Sequence, residues 1–226
     1  MILKIGHRGL KSSGEENTLY SINQAIENNF DAVEIDLRKT KDNQIVLFHD
    51  PFIIINNVKL YLDSVYHSLI SNKVQLLNDV LSNIKVNSIS IFFDIKKCND
   101  DQYFLYNILN IISFFINKGW NKNKFYFQSF YAPYIEIVSH FDNIVHNYGI
   151  IYHGLPLNTY HDINQLKCTY ICLDYKSIDK KDIQNIKNTI DIQIFLYTIN
   201  DKNILQKFTN INGIITDTSE IFYDSL

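Results

Sequence analysis

The sequence predicts an α/β fold: a (β/α)8, or TIM, barrel forming a single domain. Three observations predict it. Short apolar runs alternate with longer amphipathic ones along the whole chain, the pattern of parallel strands covered by helices. The 226 residues fit such a barrel near the small end of its usual size. No G-x-G-x-x-G or Walker pattern follows a strand, as an open doubly wound sheet would want.

Taken in order, Ile2–Gly6 reads as the first strand and Leu19–Asn28 as a helix, with a short apolar stripe from Ser21 to Ile26. Strands are expected at Ala32–Leu37 and Gln44–Phe48. Residues 51–73 are rich in apolar side chains. Leu76–Asn83 is a helix and Ser90–Ile95 a buried strand. Asp101–Lys118 is the clearest helix, since Phe104, Leu105, Ile108, Leu109, Ile112 and Phe115 follow helical spacing. Strand Lys124–Gln128, helix Ala132–His140 and strand Ile144–Ile150 come next, then a short helix at Ile163–Leu166 and strand Thr169–Leu173. Helix Lys180–Asn188, strand Ile192–Tyr197, helix Lys202–Thr209 and strand Gly213–Thr216 complete the chain.

Composition narrows the function. With 46% hydrophobic and 20% charged residues the chain is globular, one domain spanning 1–226. A net charge of −3 gives no basic surface for nucleic acid, so any phosphate site must be local. Neither a signal-peptide plan nor a run of membrane-spanning length appears, which predicts a cytoplasmic protein. The odd count of three cysteines, Cys98, Cys168 and Cys172, reads as reduced core thiols. Nothing in the sequence sets the oligomeric state.

The polar residues fall where a barrel would gather them. In VEIDLRK, Glu34 and Asp36 share one strand face, and two carboxylates on an otherwise apolar strand make sense when a cation sits between them. In IFFDIKK, Asp94 and Lys96 share a face in the same way. Barrel strands end at one mouth, so Asp94 would join Glu34 and Asp36 as a hard-oxygen site for Mg²⁺ or Ca²⁺. Lys96 would then meet a bound anion. His7 and His49 each follow an apolar run. Two imidazoles near three acids are what phosphodiester cleavage asks for, one to activate a nucleophile and one to protonate the leaving oxygen. Arg8 adds a planar fork suited to phosphate. Each residue alone reads more simply: solvated acids, a surface lysine, a structural histidine. Their joint order carries the argument.

HRGLKSSGEENT, then VEIDLRKTKDNQIVLFHD, with the later FFDIKK, QSF, LYTIND and GIITDTS, resembles the glycerophosphodiester phosphodiesterase family from Gly6 to Asp217. The resemblance implies a TIM barrel that hydrolyses glycerophosphodiesters to an alcohol and glycerol 3-phosphate with a divalent metal. It implies His7 and His49 as the acid–base pair and Glu34, Asp36 and Asp94 as metal ligands. Arg8 and Lys96 would hold phosphate. Glu16 and Asn17 would shape the substrate site, and Gln128, Ser129, Phe130 and Tyr197 would line it. Departures are Asp94 where Glu is usual, which moves the carboxylate by about 1.3–1.5 Å, Tyr197 for Trp, Ser219 for Pro, and a reduced cap. The partner expected is a small glycerophosphodiester, with peripheral lipid contact through 51–70 as the membrane role left open. A lysophospholipase D or sphingomyelinase D-like enzyme and a non-catalytic phosphodiester-binding barrel are the rival readings.

Overall fold

The computed structural model describes residues 2–99 and 101–223. In chain order its strands are β1 (Leu3–Gly6), β2 (Ala32–Lys39), β3 (Ile45–Leu47), β4 (Phe52–Ile55), β5 (Val58–Tyr61), β6 (Gln75–Leu76), β7 (Ser90–Ile95), β8 (Phe125–Ser129), β9 (Asn147–Tyr152), β10 (Tyr170–Asp174), β11 (Gln193–Tyr197) and β12 (Gly213–Thr216). The α-helices are α1 (Leu19–Glu27), α2 (Leu77–Asn83), α3 (Asp101–Asn117), α4 (Ala132–Ser139), α5 (Thr159–Leu166), α6 (Lys180–Thr189) and α7 (Lys202–Leu205). Strands β1, β2, β7, β8, β9, β10, β11 and β12 pair in parallel, and β1 meets both β12 and β2, so the sheet closes into the expected (β/α)8 barrel.

The period-two pattern of each strand builds two apolar layers. Val33, Ile35 and Leu37 of β2, with Ile91, Phe93 and Ile95 of β7, face outward into the core beneath the helices. Inside the barrel, Ile5, Ala32, Phe92, Tyr170, Cys172, Phe195 and Ile215 are buried together. Phe92 stacks on Tyr126 at 4.2 Å between ring centroids and meets Phe195 edge-on at 5.2 Å, contacts worth about 0.5–1.5 kcal/mol each beyond area burial. The Tyr170 hydroxyl donates to the Phe127 carbonyl at 3.0 Å. Gly149 makes room for that ring: a Cβ there would lie 2.2 Å from the Tyr170 carbonyl oxygen and 2.7 Å from its ring. This plug closes the barrel below the mouth.

The run expected at Gln44–Phe48 is a strand, but β3 folds back antiparallel on β2, with Leu37 opposite Leu47 and Lys39 opposite Ile45. It is an addition to the barrel, and β6 adds to it in turn. Between them, β4 and β5 form a hairpin through Asn56 and Asn57, whose φ values of 50° and 62° suit a two-residue primed turn. Val46, Ile53, Leu62, Val65, Ile70 and Val74 give this segment its own small core.

Three boundaries moved for local reasons. Strand β9 begins at Asn147, because Phe141–Val145 closes a turn with the Val145 N–H on the Phe141 carbonyl at 2.7 Å. Helix α5 begins earlier than expected, where both the N–H and hydroxyl of Thr159 donate to the Pro156 carbonyl. Helix α7 stops at Leu205, after which the Phe208 N–H turns back to the Leu205 carbonyl.

Candidate active site

Alternation along β2 and β7 sends Glu34, Asp36 and Asp94 into the barrel, and parallel register sets Asp36 beside Asp94. All three are buried, and each offers an oxygen within 4.8 Å of the others'. Burial, then the Asp36 and Asp94 charges, push Glu34 well above the usual carboxylate range. Burial pushes Asp94 up to about 6 against the pull of Lys96. Asp36 goes the other way: burial would raise it, but Lys96, Arg8 and the Asn17 amide outweigh that and hold it low. The Lys96 ammonium lies between two of the acids, 2.8 Å from Asp36 Oδ1 and 2.6 Å from Asp94 Oδ2. Asp94 Oδ1 is buried with no hydrogen-bond partner. An all-oxygen donor set, crowded enough to keep protons, with one carboxylate oxygen unsatisfied, fits a hard divalent cation.

The loop after β1 serves this cluster. Arg8 has φ 53°, a left-handed turn that aims its N–H at Glu34 Oε2, 3.1 Å away. Its guanidinium donates to Glu16 at 2.6 Å and lies 3.4 Å from Asp36. Asn17, also left-handed at φ 55°, clasps Asp36 twice: its amide donates to Oδ2 at 2.8 Å and its carbonyl accepts from the Asp36 N–H at 2.9 Å.

Both imidazoles are held at Nδ1 by a carboxylate. His7 Nδ1 lies 2.6 Å from Asp217 Oδ1, and its Nε2 sits 3.9 Å from Glu34. Asn200 fixes Asp217 from two sides, donating to Oδ2 at 2.7 Å and accepting the Asp217 N–H at 2.8 Å. His49 Nδ1 lies 2.8 Å from Asp50 Oδ1. The antiparallel β3 explains why His49 is here: β2 rises beyond the mouth, β3 descends, and the Phe48 N–H donates to the Asp36 carbonyl. Burial lowers His49 more than Asp36 and Asp50 raise it, which favours neutral imidazole.

A cavity of about 410 Å³ opens over the cluster. His7, Arg8, Glu34, Asp36, His49, Asp94, Lys96, Phe130 and Tyr197 line it, as does Gln128. Three other expected site residues lie outside that lining. Glu16 holds Arg8 from the rim, Asn17 holds Asp36 from behind, and Ser129 faces outward with its hydroxyl on the Ile95 carbonyl at 2.7 Å. Asp217, Asn200 and His153 were not singled out from the sequence. Each follows a barrel strand by one to three residues, and strand ends at the mouth are the signal that could have found them. His153 packs against Phe130 at 4.7 Å and lies 3.2 Å from the Tyr197 hydroxyl, giving the mouth one aromatic wall.

Carboxylates, paired imidazoles and guanidinium at the strand ends of a plugged parallel barrel define a hydrolase of anionic esters. Comparison with known proteins makes the class specific: residues 7–221 match the glycerophosphoryl diester phosphodiesterase family, and the chain belongs to it. It is 26% identical over 229 residues to the uncharacterised Mycoplasma genitalium protein MG293, covering 94% of this chain and 92% of that one. A Caenorhabditis elegans protein named as a GPCPD1 homologue is 40% identical over 60 residues, 24% of this chain and 9% of that protein. The fold superposes on an Oleispira antarctica phosphodiesterase, solved with the product sn-glycerol-3-phosphate, at a TM-score of 0.84 and 16% identity, covering 97% and 95% of the two chains. Among the described residues no helix is long and apolar enough to cross a membrane.

Proposed function

We propose that this enzyme hydrolyses glycerophosphodiesters to an alcohol and glycerol 3-phosphate, with a divalent cation, Mg²⁺ or Ca²⁺, and two-histidine acid–base catalysis. One observation carries the reading: a three-carboxylate cluster lies beneath two imidazoles, each backed by a carboxylate. Glu34, Asp36 and Asp94 would hold the cation, which when bound supplies Lewis-acid polarisation of the phosphoryl oxygens and a lowered hydroxyl pKa. Arg8 and Lys96 bind the phosphate and offset the negative charge that builds on its oxygens during displacement. Of His7 and His49, one takes the proton of the attacking hydroxyl and the other gives a proton to the departing alcohol. Asp217 and Asp50 hold each ring at Nδ1, which leaves Nε2 to make that transfer. Phe130 and Tyr197 give the substrate an aromatic wall, while Glu16 and Asn17 hold Arg8 and Asp36 in place for it. Residues 51–73 act as a reduced cap on a single catalytic domain, and three cysteines with no disulfide suit a cytoplasmic setting.

The test is hydrolysis of glycerophosphocholine and glycerophosphoethanolamine with Mg²⁺, Ca²⁺ or chelator. Turnover that needs a dication, and falls by about 10²–10⁴-fold in His7→Ala and His49→Ala, is expected. Wild-type rates in both variants would overturn the reading. A lysolipid substrate is the second reading, favoured by the exposed Ile54, Val58, Tyr61 and Leu69 of the cap. It requires lysophosphatidylcholine to be turned over faster than glycerophosphocholine.

A further inference from the structure

Two buried oxygens in this site accept no hydrogen bond: Asp94 Oδ1 and Gln128 Oε1. They belong to neighbouring strands at matched register, Asp94 of β7 opposite Gln128 of β8. Alternation turns both side chains into the barrel, and both line the same cavity. Gln128 is only 1% exposed, so bulk water does not satisfy it. Two acceptors left bare in one wall cost about 1–3 kcal/mol each unless something positive or protic meets them.

Most donors close by are already engaged, and Arg8 Nε, which makes no hydrogen bond, lies 3.4 Å from Asp36 Oδ2. Lys96 gives its ammonium to Asp36 and to the other oxygen of Asp94. The Tyr170 hydroxyl is turned to the Phe127 carbonyl, and the Asn17 amide is spent on Asp36. Both bare oxygens line the open cavity and so face whatever enters it from outside the chain. A hard dication takes six or more oxygens, and neutral amide carbonyls are ordinary members of such shells. Three carboxylates leave positions over.

We propose that the Gln128 side-chain carbonyl is a fourth protein oxygen for the divalent cation, beside Asp94. This rests on the cation site proposed above and adds a neutral ligand from β8 to the acids of β2 and β7. A neutral fourth oxygen completes the shell without adding a fourth negative charge beside three buried carboxylates.

The experiment is a Mn²⁺ titration of the purified chain without substrate, following the free-ion EPR signal, with Mg²⁺ and Ca²⁺ as competitors. Gln128→Leu, which removes the oxygen at similar volume, should weaken Mn²⁺ binding about tenfold or more. Gln128→Glu, which keeps an oxygen there, should bind at least as tightly as wild type. Thermal unfolding in chelator reports whether each variant is folded. If Gln128→Leu does not fold, Gln128→Asn takes its place: it withdraws the carbonyl by one methylene and should also weaken binding. Wild-type affinity in the oxygen-removing or shortened variant, or weakened binding in Gln128→Glu, overturns the assignment. Failure of the wild-type chain to bind Mn²⁺ would instead overturn the cation site itself, so the two failures are distinguishable.

Discussion

At the scale of single residues, the site depends on side chains that touch no substrate. Asn17 satisfies both the carboxylate and the N–H of a buried aspartate. Asn17→Ala strands that N–H and should cost about 1–3 kcal/mol in urea unfolding, with metal affinity falling alongside. Asp217 orients His7, so Asp217→Asn should lower turnover by less than the 10²–10⁴-fold of losing the histidine and shift the pH–rate profile. A change in stability alone would make Asp217 merely structural. Asp94 gives a pH signature. Its folded pKa of about 6 lies above the ordinary 3.8, so between those values the folded chain holds a proton the unfolded chain has released. Its contribution to stability therefore grows as pH falls from 7 to 4. In chelator, wild-type melting temperature should gain on Asp94→Asn over that range, and an equal offset at both ends would refute the shift.

At the scale of elements, what could be read from the sequence was the periodicity. Ile35–Asp36–Leu37 and Phe93–Asp94–Ile95 alternate apolar and acidic positions, and alternation alone assigned the faces that the barrel uses. The direction of β3 was not legible, since an apolar run such as IVL carries no sign of parallel or antiparallel pairing. Nor was the Asn56–Asn57 hairpin, whose signal is positive φ and not hydrophobicity. Asp217 went unassigned because its meaning lies in a contact with a residue 210 positions away, which apolar–polar alternation does not encode, and Asn200 because it acts through Asp217. Gly149 shows a tertiary demand of the same kind. Gly149→Ala drives a methyl into Tyr170 and should destabilise the barrel by about 1–3 kcal/mol, measured by chemical denaturation.

At the scale of the whole molecule, the polar groups crowd one mouth and the rest of the barrel is sealed. Cys172 lies under the acids and is fully buried, its thiol raised well above the ordinary value by burial and then by Glu34 and Asp94. Burial pushes Cys168 up to about 12. Cys98, after β7, is only half-buried. In the native protein iodoacetamide should therefore label Cys98 first, with Cys168 and Cys172 reacting only on unfolding, as peptide mass spectrometry would record. Equal labelling of all three would mean that the barrel interior opens far more often than its packing allows.

The pairing of His7 with Asp217 joins the residue after β1 to the residue after β12, across the seam where those two strands pair. The two side chains stand 210 positions apart in the chain, so on the ribosome the imidazole is made well before its carboxylate. A nascent chain therefore carries most of the site long before it can be competent, and a message cut short by a few codons before residue 217 yields a protein with an unsteadied histidine. Synthesis past residue 217 becomes a condition of an oriented His7.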